Sequence, residues 1–163
     1  MGEKQMETLI IEKESFKVIG MTLETLLSDE REQRNIPKLF EAFIKRIPEI
    51  KNRLNDNSIG IFIDPPNYNY KTDKFKWISG VEVSSVNDIP DGMESFIFQG
   101  NTYARTTYIG PRDKAYTAYD HLYNWVKESE YELADTYGIE YYQQSHDDNH
   151  TVMDLMFPIR KNS

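Results

Sequence analysis

The sequence predicts an α+β fold of two βαββ repeats that form one antiparallel sheet. Two main helices cover one face, and a ligand groove lies on the opposite face, between the halves. Strand-like and helix-like segments occur twice in the same order: strand, helix, strand, strand. Each helix-like segment has an apolar stripe to bury against a sheet. The halves cover residues 8–86 and 93–160 of one domain, and they share a pattern rather than sequence identity.

The first half combines four strand-like segments with one helix. Asn35 is a suitable N-cap, and Pro37 is tolerated in the first turn of a helix. Pro48 is expected to end or bend that helix. Its apolar stripe consists of Leu39, Phe40, Phe43, Ile44 and Ile47. The strand-like segments, rich in β-branched and aromatic residues, are Thr8–Ile11, Phe16–Glu24, Ser58–Asp64 and Phe75–Val83.

The second half follows a turn-rich connector, Asn87–Gly92. Asp113 can cap its helix, after Gly110 and Pro111 end the preceding strand. The apolar face of this helix consists of Ala115, Tyr119, Leu122, Tyr123 and Val126. The strand-like segments are Met93–Phe98, Thr102–Ile109, Gly138–Gln144 and Thr151–Ile159.

The composition restricts the classes of function. The formal net charge of −8 argues against a nucleic-acid-binding surface, which needs clustered Lys and Arg. From Glu128 to Asp154 the chain has eight carboxylates and no Lys or Arg, a solvated acidic surface that also favours cationic partners. With no cysteine, disulfides and thiolate metal sites are excluded. The chain lacks a signal-peptide core and a membrane span of about 20 apolar residues, so we expect a cytoplasmic protein without membrane contact.

The segment Gly138–Gln144 holds one carboxylate, Glu140, among apolar and aromatic neighbours. Alternate side chains of a strand share a face, so Glu140 lies with Tyr142, while Ile139 and Tyr141 point the other way. Burying a carboxylate is costly unless a cation or a hydrogen-bond donor meets it. Either a ligand contacts Glu140, which would make this a binding site, or its face is solvated; the residues leave both open.

Four motifs, in this order and spacing, carry a family resemblance. They are YARTTYIGPRD (Tyr103–Asp113), YNWVKES (Tyr123–Ser129), GIEYY (Gly138–Tyr142) and DLMFPIRK (Asp154–Lys161). The first half agrees through FKVIGMTLE, IGIFID and WISGVEV. Together they resemble the GyrI-like domain, also called the AraC-type or bacterial transcription-activator effector-binding domain, over nearly the whole chain.

The resemblance implies two βαββ units, an SHS2-like repeat, around an aromatic pocket with an acid at its base. The acid falls in the strand after the second helix, which is Glu140 here. In members that bind drugs, this acid meets the charge of lipophilic cations while aromatic rings stack on the ligand. The candidate ligand-binding residues are Glu140, Tyr142, Trp77, Tyr103, Phe62, Tyr116 and Met156. Ordinary core packing is the alternative for every wall residue.

Without a ligand, Glu140 is expected to be protonated or hydrogen-bonded to a tyrosine hydroxyl, because desolvation raises the pKa of a carboxyl. The leading hypothesis is a stand-alone domain that binds lipophilic, cationic organic compounds. Because the first strand is predicted to begin near Thr8, we expect no DNA-binding module before it. We therefore expect no direct contact with nucleic acid, although a protein partner such as a transcription regulator is compatible with this role.

Two alternatives remain open from the sequence. Some proteins that resemble this domain hydrolyse cyclopropane-bearing toxins, and here Glu140 would act as the catalytic base or acid, with Tyr142 or Tyr103 beside it. Other GyrI-like proteins inhibit DNA gyrase, and the acidic stretch could mimic nucleic acid toward that partner. No cofactor is expected, and no metal, because His146 and His150 occupy a polar loop typical of a solvated hairpin.

Overall fold

The computed structural model describes residues 6–143 and 150–163. The chain divides into two compact units. We call Ser15–Gln99 the continuous unit, and residues 1–14 together with 100–163 the discontinuous unit. The predicted α+β class is confirmed, because both units combine antiparallel strands with an α-helix.

Nine strands, three α-helices and two short 3-10 helices make up the secondary structure of the described residues. The strands are β1 (Thr8–Lys13), β2 (Phe16–Thr25), β3 (Ile59–Ile63), β4 (Phe75–Val83), β5 (Glu94–Phe98), β6 (Asn101–Gly110), β7 (Tyr131–Leu133), β8 (Tyr137–Tyr142) and β9 (Thr151–Lys161). The α-helices are α1 (Leu27–Gln33), α2 (Asn35–Ile44) and α3 (Tyr116–Glu128), and the 3-10 helices are Ile47–Glu49 and Arg112–Lys114. The sequence reasoning missed α1 and β7.

The predicted halves, 8–86 and 93–160, differ from the observed units at two strands. Strand β1 pairs with β6, with Thr8 opposite Thr106, and so belongs to the discontinuous unit. Strand β5 pairs with β2, with Phe16 opposite Phe98, and so belongs to the continuous unit. The hydrophobic pattern of a strand specifies which face is buried and leaves its neighbouring strand unspecified.

The continuous unit has the strand order β3-β4-β2-β5. Gly20 lies opposite Gly80 in the β2–β4 ladder, and a Cβ on Gly20 would lie 2.3 Å from the carbonyl oxygen of Ser79. Glycine therefore permits the close approach of these two strands. Helix α2 covers one face of this unit through Phe43, which is fully buried. The core around Phe43 consists of Ile19, Ile50, Val81, Val83 and Met93.

Helix α2 does not begin as the sequence predicts. Asn35 is predicted to be its N-cap, but it is the first helical residue, and the actual N-cap, Arg34, makes no side-chain cap hydrogen bond. The preceding residue, Arg34, has φ 52° and ψ 48°, which turns the chain sharply between α1 and α2. The Ile36 N–H donates to Oε2 of Glu30 at 3.0 Å. An acid from the neighbouring helix therefore satisfies this backbone donor, as a cap would.

The discontinuous unit has the strand order β1-β6-β9-β8, with β7 also paired to β9. Helix α3 lies on one face of it, since the rings of Tyr119 and Tyr123 contact Phe157 of β9. The helix buries Ala118, Leu122 and Val126. Because laterally paired residues share a face, the register places Thr106, Leu155 and Glu140 on the same side as Phe157. We call this side the helix-side face.

The start of α3 also differs from the prediction that Asp113 caps it. Asp113 lies in the 3-10 helix Arg112–Lys114, and α3 begins at Tyr116 without a side-chain cap. The Thr117 hydroxyl donates to the Lys114 carbonyl oxygen at 2.7 Å. The 3-10 turn runs directly into the α-helix, so the chain presents no extended residue at Asp113 from which a side chain could cap.

Candidate functional site

Glu140 is a buried carboxylate on the helix-side face of the discontinuous unit. It lies opposite Leu155 in the β8–β9 ladder, and only 7% of its surface is exposed. The sequence reasoning placed the ligand groove on the face that the helices leave open. That placement is wrong for Glu140, because strand alternation and the position of α3 put its side chain beneath the helix. The open possibility of a solvated Glu140 is also excluded.

Two tyrosine hydroxyls donate hydrogen bonds to Glu140. Tyr119 of α3 donates to Oε2, and Tyr142 of β8 donates to Oε1. The position of Tyr142 beside Glu140 confirms the expectation from strand alternation. Each carboxylate oxygen therefore has a donor, and both donors are neutral. Within residues 6–143 and 150–163, the hydrogen bonds of this buried carboxylate are therefore satisfied by neutral groups rather than by a directly bound cation.

An aromatic cluster surrounds these hydrogen bonds. The ring centroids of Tyr123 and Phe157 lie 4.6 Å apart, and those of Tyr119 and Phe157 lie 6.0 Å apart. Tyr119 and Tyr123 lie one helical turn apart, with their centroids separated by 6.4 Å. Phe157 is 1% exposed, whereas Tyr123 is 42% exposed. The cluster thus extends from the buried carboxylate to the protein surface.

A cation, Arg112, lies over the ring of Tyr142. Its guanidinium carbon is 5.5 Å from the centroid of the Tyr142 ring, within the range of a cation–π interaction. Arg112 begins the 3-10 helix that precedes α3, and it is exposed. Arg112 therefore places an exposed guanidinium over the ring whose hydroxyl donates to the buried Glu140.

Burial raises the pKa of the Glu140 carboxyl above its usual value. The hydrogen bonds from Tyr119 and Tyr142, and the charge of Arg112, oppose this shift because they favour the ionised form. The pKa values of the two phenols are also raised, first by desolvation and then by the neighbouring Glu140 charge. The site therefore resists placing negative charge on the tyrosines, and the protonated form of Glu140 is favoured more than it would be in water.

Two other predicted ligand contacts, Tyr103 and Met156, lie on the opposite face of the same unit. The register places both on the side away from Glu140. Tyr103 is fully buried, and its hydroxyl lies 2.7 Å from that of Tyr137, which also accepts from Asn101 at 3.1 Å. Met156 is 3% exposed. The structure therefore does not bring these two side chains to the carboxylate.

Trp77 and Phe62 belong to the continuous unit, where they lie opposite each other on β4 and β3. The indole of Trp77 covers Gly60, and its N–H donates to Oγ of Ser79 at 3.1 Å. Register places Trp77 on the same face as Val81 and α2 rather than on the face opposite the helices. Tyr116, at the start of α3, is 62% exposed. That any of the seven residues contacts a ligand stays a prediction.

Sequence reasoning missed two residues of this site, Tyr119 and Arg112. Tyr119 was recognised in the apolar face of its helix, where a phenol signals a need for a polar partner. Its partner lies 21 residues further along the chain, so the pairing depends on how α3 packs. Arg112 lies within the motif YARTTYIGPRD, and no local pattern marks it as a neighbour of Tyr142.

No group of three or more metal-ligating side chains is found within residues 6–143 and 150–163. The loop from which a metal site was considered lies mostly outside these ranges, including His146. In the same ranges, none of the helices has the length and apolar character needed to cross a bilayer.

A family model described as the GyrI-like small molecule binding domain matches residues 6–160. The chain therefore belongs to the GyrI-like family, and the resemblance drawn from its motifs is confirmed. The class of protein that this defines is a small-molecule-binding domain.

The chain is also similar to individual known proteins. The transcriptional regulator BrlR of Pseudomonas aeruginosa is 28% identical over 162 residues, which cover 96% of this chain and 56% of BrlR. The chain thus spans about half the length of this curated relative. SAV2435 bound to tetraphenylphosphonium has a TM-score of 0.74 at 13% identity, with 94% of both chains covered. EcmrR in a DNA complex has a TM-score of 0.70 at 15% identity, covering 96% of this chain and 58% of EcmrR.

Proposed function

We propose that this domain binds lipophilic organic cations and that Glu140 supplies the counter-charge. The observation that carries the proposal is a carboxylate with 7% exposure whose two hydrogen-bond donors are neutral phenols. A buried carboxylate without a directly bound cation attracts a positively charged ligand strongly, because a low-dielectric environment screens the two charges less than water does.

The aromatic cluster supports the same ligand class. Tyr119, which donates to Glu140, forms an aromatic cluster with Tyr123 and Phe157. A cation–π contact with a ring of this cluster would contribute about 0.5–2 kcal/mol. Burial of the ligand's apolar surface adds roughly 25 cal/mol per Å². Such contacts tolerate different ligand shapes, whereas the carboxylate selects for positive charge. That SAV2435, a protein of the same fold, was solved with tetraphenylphosphonium supports a lipophilic cation as the probe.

Thermal unfolding with tetraphenylphosphonium tests the proposal. At about 100 times its dissociation constant, a ligand stabilises the native state by about 2.7 kcal/mol, which raises the Tm by roughly 5–11 °C for a chain of this size. Glu140→Gln keeps an oxygen to accept from Tyr119 or Tyr142 and removes the charge. The response of this variant to the cation is expected to disappear.

Triphenylphosphine oxide serves as the matched neutral ligand. Wild type and Glu140→Gln should respond to it equally, because it carries no charge for Glu140 to recognise. If the variant is too unstable to compare, a pH series on wild type provides a second test, because cation binding should weaken as Glu140 becomes protonated. A wild type that ignores every concentration of the cation, or a Glu140→Gln variant that binds it equally well, would refute the proposal.

Hydrolysis is the second candidate function, favoured by the raised pKa of Glu140 and its hydrogen bond with Tyr142. A carboxyl whose pKa is raised by burial is suited to proton transfer. Tyr103, the other tyrosine considered for this role, lies on the opposite face. Turnover of a cyclopropane electrophile by wild type and not by Glu140→Gln would favour this function over simple binding. Inhibition of gyrase stays a prediction from the acidic sequence alone.

A further inference from the structure

Arg112 lies where a bound organic cation would be expected to contact Tyr142. We propose that Arg112 is an internal competitor for the cation site and that it limits the affinity of the domain for positively charged ligands. This inference rests on the proposed function, since it concerns the same carboxylate. It adds a specificity-determining residue from a different segment of the chain.

The geometry of three groups carries the inference. The guanidinium carbon of Arg112 is 5.5 Å from the centroid of the Tyr142 ring, and the hydroxyl of that ring donates to Glu140. A cation within about 6 Å of an aromatic centroid is attracted by the ring quadrupole. The protein therefore already places a cation on the aromatic ring that touches the carboxylate. An external cation that uses the Tyr142 face has to displace it.

The position of Arg112 makes such displacement feasible. The side chain is exposed and begins a 3-10 helix of three residues, Arg112–Lys114. An exposed arginine can leave the ring for water, since its charged end is solvated at little cost. Glu140 is buried, so its side chain does not move into water together with Arg112. Competition therefore takes place at the Tyr142 ring, while the carboxylate of Glu140 keeps its position.

The charge of Arg112 also acts on the carboxylate. The titratable and charged groups that face Glu140, within the described residues, are Tyr119 and Tyr142 by hydrogen bonds and Arg112 by its charge, with Tyr123 beside Tyr119. Arg112 is the cationic member of this set, and it lowers the pKa of Glu140 against the effect of burial. Removal of Arg112 should raise the pKa of Glu140, so that Glu140 ionises only at higher pH. Once ionised, Glu140 should bind an external cation more tightly, because Arg112 no longer competes.

Arg112→Gln tests the inference, and Lys114→Gln is its matched control. Both remove one positive charge from the same 3-10 helix, but Arg112 is the one whose contact with Tyr142 defines the competition. At a pH where Glu140 is ionised, Arg112→Gln should bind tetraphenylphosphonium about two- to fivefold more tightly than Lys114→Gln, by calorimetric titration. Both variants should bind neutral triphenylphosphine oxide with equal affinity.

A pH series adds a readout that general surface charge would not produce. The midpoint at which cation binding appears should move to higher pH in Arg112→Gln, because Glu140 loses a group that lowers its pKa. Lys114→Gln should keep the midpoint of wild type, and Arg112→Lys should keep the affinity of wild type since the charge remains.

Two results would overturn the inference. Equal gains in affinity for Arg112→Gln and Lys114→Gln would mean that the domain responds to net charge alone. Weaker cation binding by Arg112→Gln would mean that Arg112 supports the site. These results differ from failure of the proposed function, in which wild type does not bind the cation or Glu140→Gln binds it unchanged; the inference then falls together with that function.

Discussion

Tyr119→Phe is the most direct test of how α3 holds the buried carboxylate. The substitution removes one hydroxyl and keeps the ring that lies 6.0 Å from Phe157 and 6.4 Å from Tyr123, measured between centroids. A hydrogen bond to a charged group contributes about 1.5–3 kcal/mol, and one between neutral groups about 0.5–1.5 kcal/mol. We therefore expect the larger loss of unfolding free energy where Glu140 is ionised and the smaller loss where it is protonated.

The sign of the pH dependence follows from the pKa of Glu140. Burial raises this pKa in the folded state, so its contribution to stability is fully present below the unfolded pKa and is lost as pH rises through the folded pKa. The Tyr119 hydroxyl favours the ionised form and limits this loss. In Tyr119→Phe the folded pKa is higher still, so the difference in stability from wild type should grow with increasing pH.

Urea denaturation followed by circular dichroism, at a series of pH values, measures this difference. Tyr123→Phe is the matched control, because it removes a hydroxyl from the same helix one turn away and keeps the contact with Phe157. If both variants lose the same stability, or if the loss in Tyr119→Phe does not grow with pH, the assignment of Tyr119 as a donor to an ionisable buried carboxylate is wrong.

Two further substitutions test the packing of each unit. Gly60→Ala would place a Cβ 2.3 Å from Cζ2 of Trp77. We therefore expect urea denaturation to show a loss of about 1–3 kcal/mol in unfolding free energy, together with a shift of the tryptophan fluorescence. Unchanged values would show that the indole does not require the space that Gly60 leaves. Tyr103→Phe removes the 2.7 Å contact with the Tyr137 hydroxyl, which keeps its bond from Asn101. This substitution should lower the unfolding free energy by about 0.5–1.5 kcal/mol and leave the affinity for tetraphenylphosphonium unchanged in a calorimetric titration. Lost cation binding would show that Tyr103 does contribute to the binding site.

Local features of the site could be predicted from the sequence. Tyr142 was placed beside Glu140 because side chains two residues apart in a strand share a face, and the hydrogen bond between them agrees. The resemblance of the motifs to the GyrI-like family identified the same acid. Features that depend on packing could not be predicted. The contact of Tyr119 with Glu140 requires a particular rotation of α3 on the sheet, which the apolar stripe of the helix only restricts.

The missed helix α1 shows a second limit of sequence reasoning. Its residues, Leu27–Gln33, bury no side chain, so no apolar stripe marks the segment as helical. The left-handed Arg34 ends it, and Glu30 connects it to both neighbouring elements by accepting from Thr25 and from the Ile36 N–H. Such side-chain interactions become visible only when the surrounding backbone is known.

The two parts of the discontinuous unit have a consequence for the order in which the chain can fold. The Thr106 hydroxyl donates to the carbonyl oxygen of Glu7, a residue 99 positions earlier. During synthesis, strand β1 is made before β6, so the ladder between them can form only after β6 has left the ribosome. The continuous unit contains no residue beyond Gln99, so its own strands can pair with one another while β1 is still unpaired. The middle of the nascent chain can therefore become structured before β1 pairs with β6.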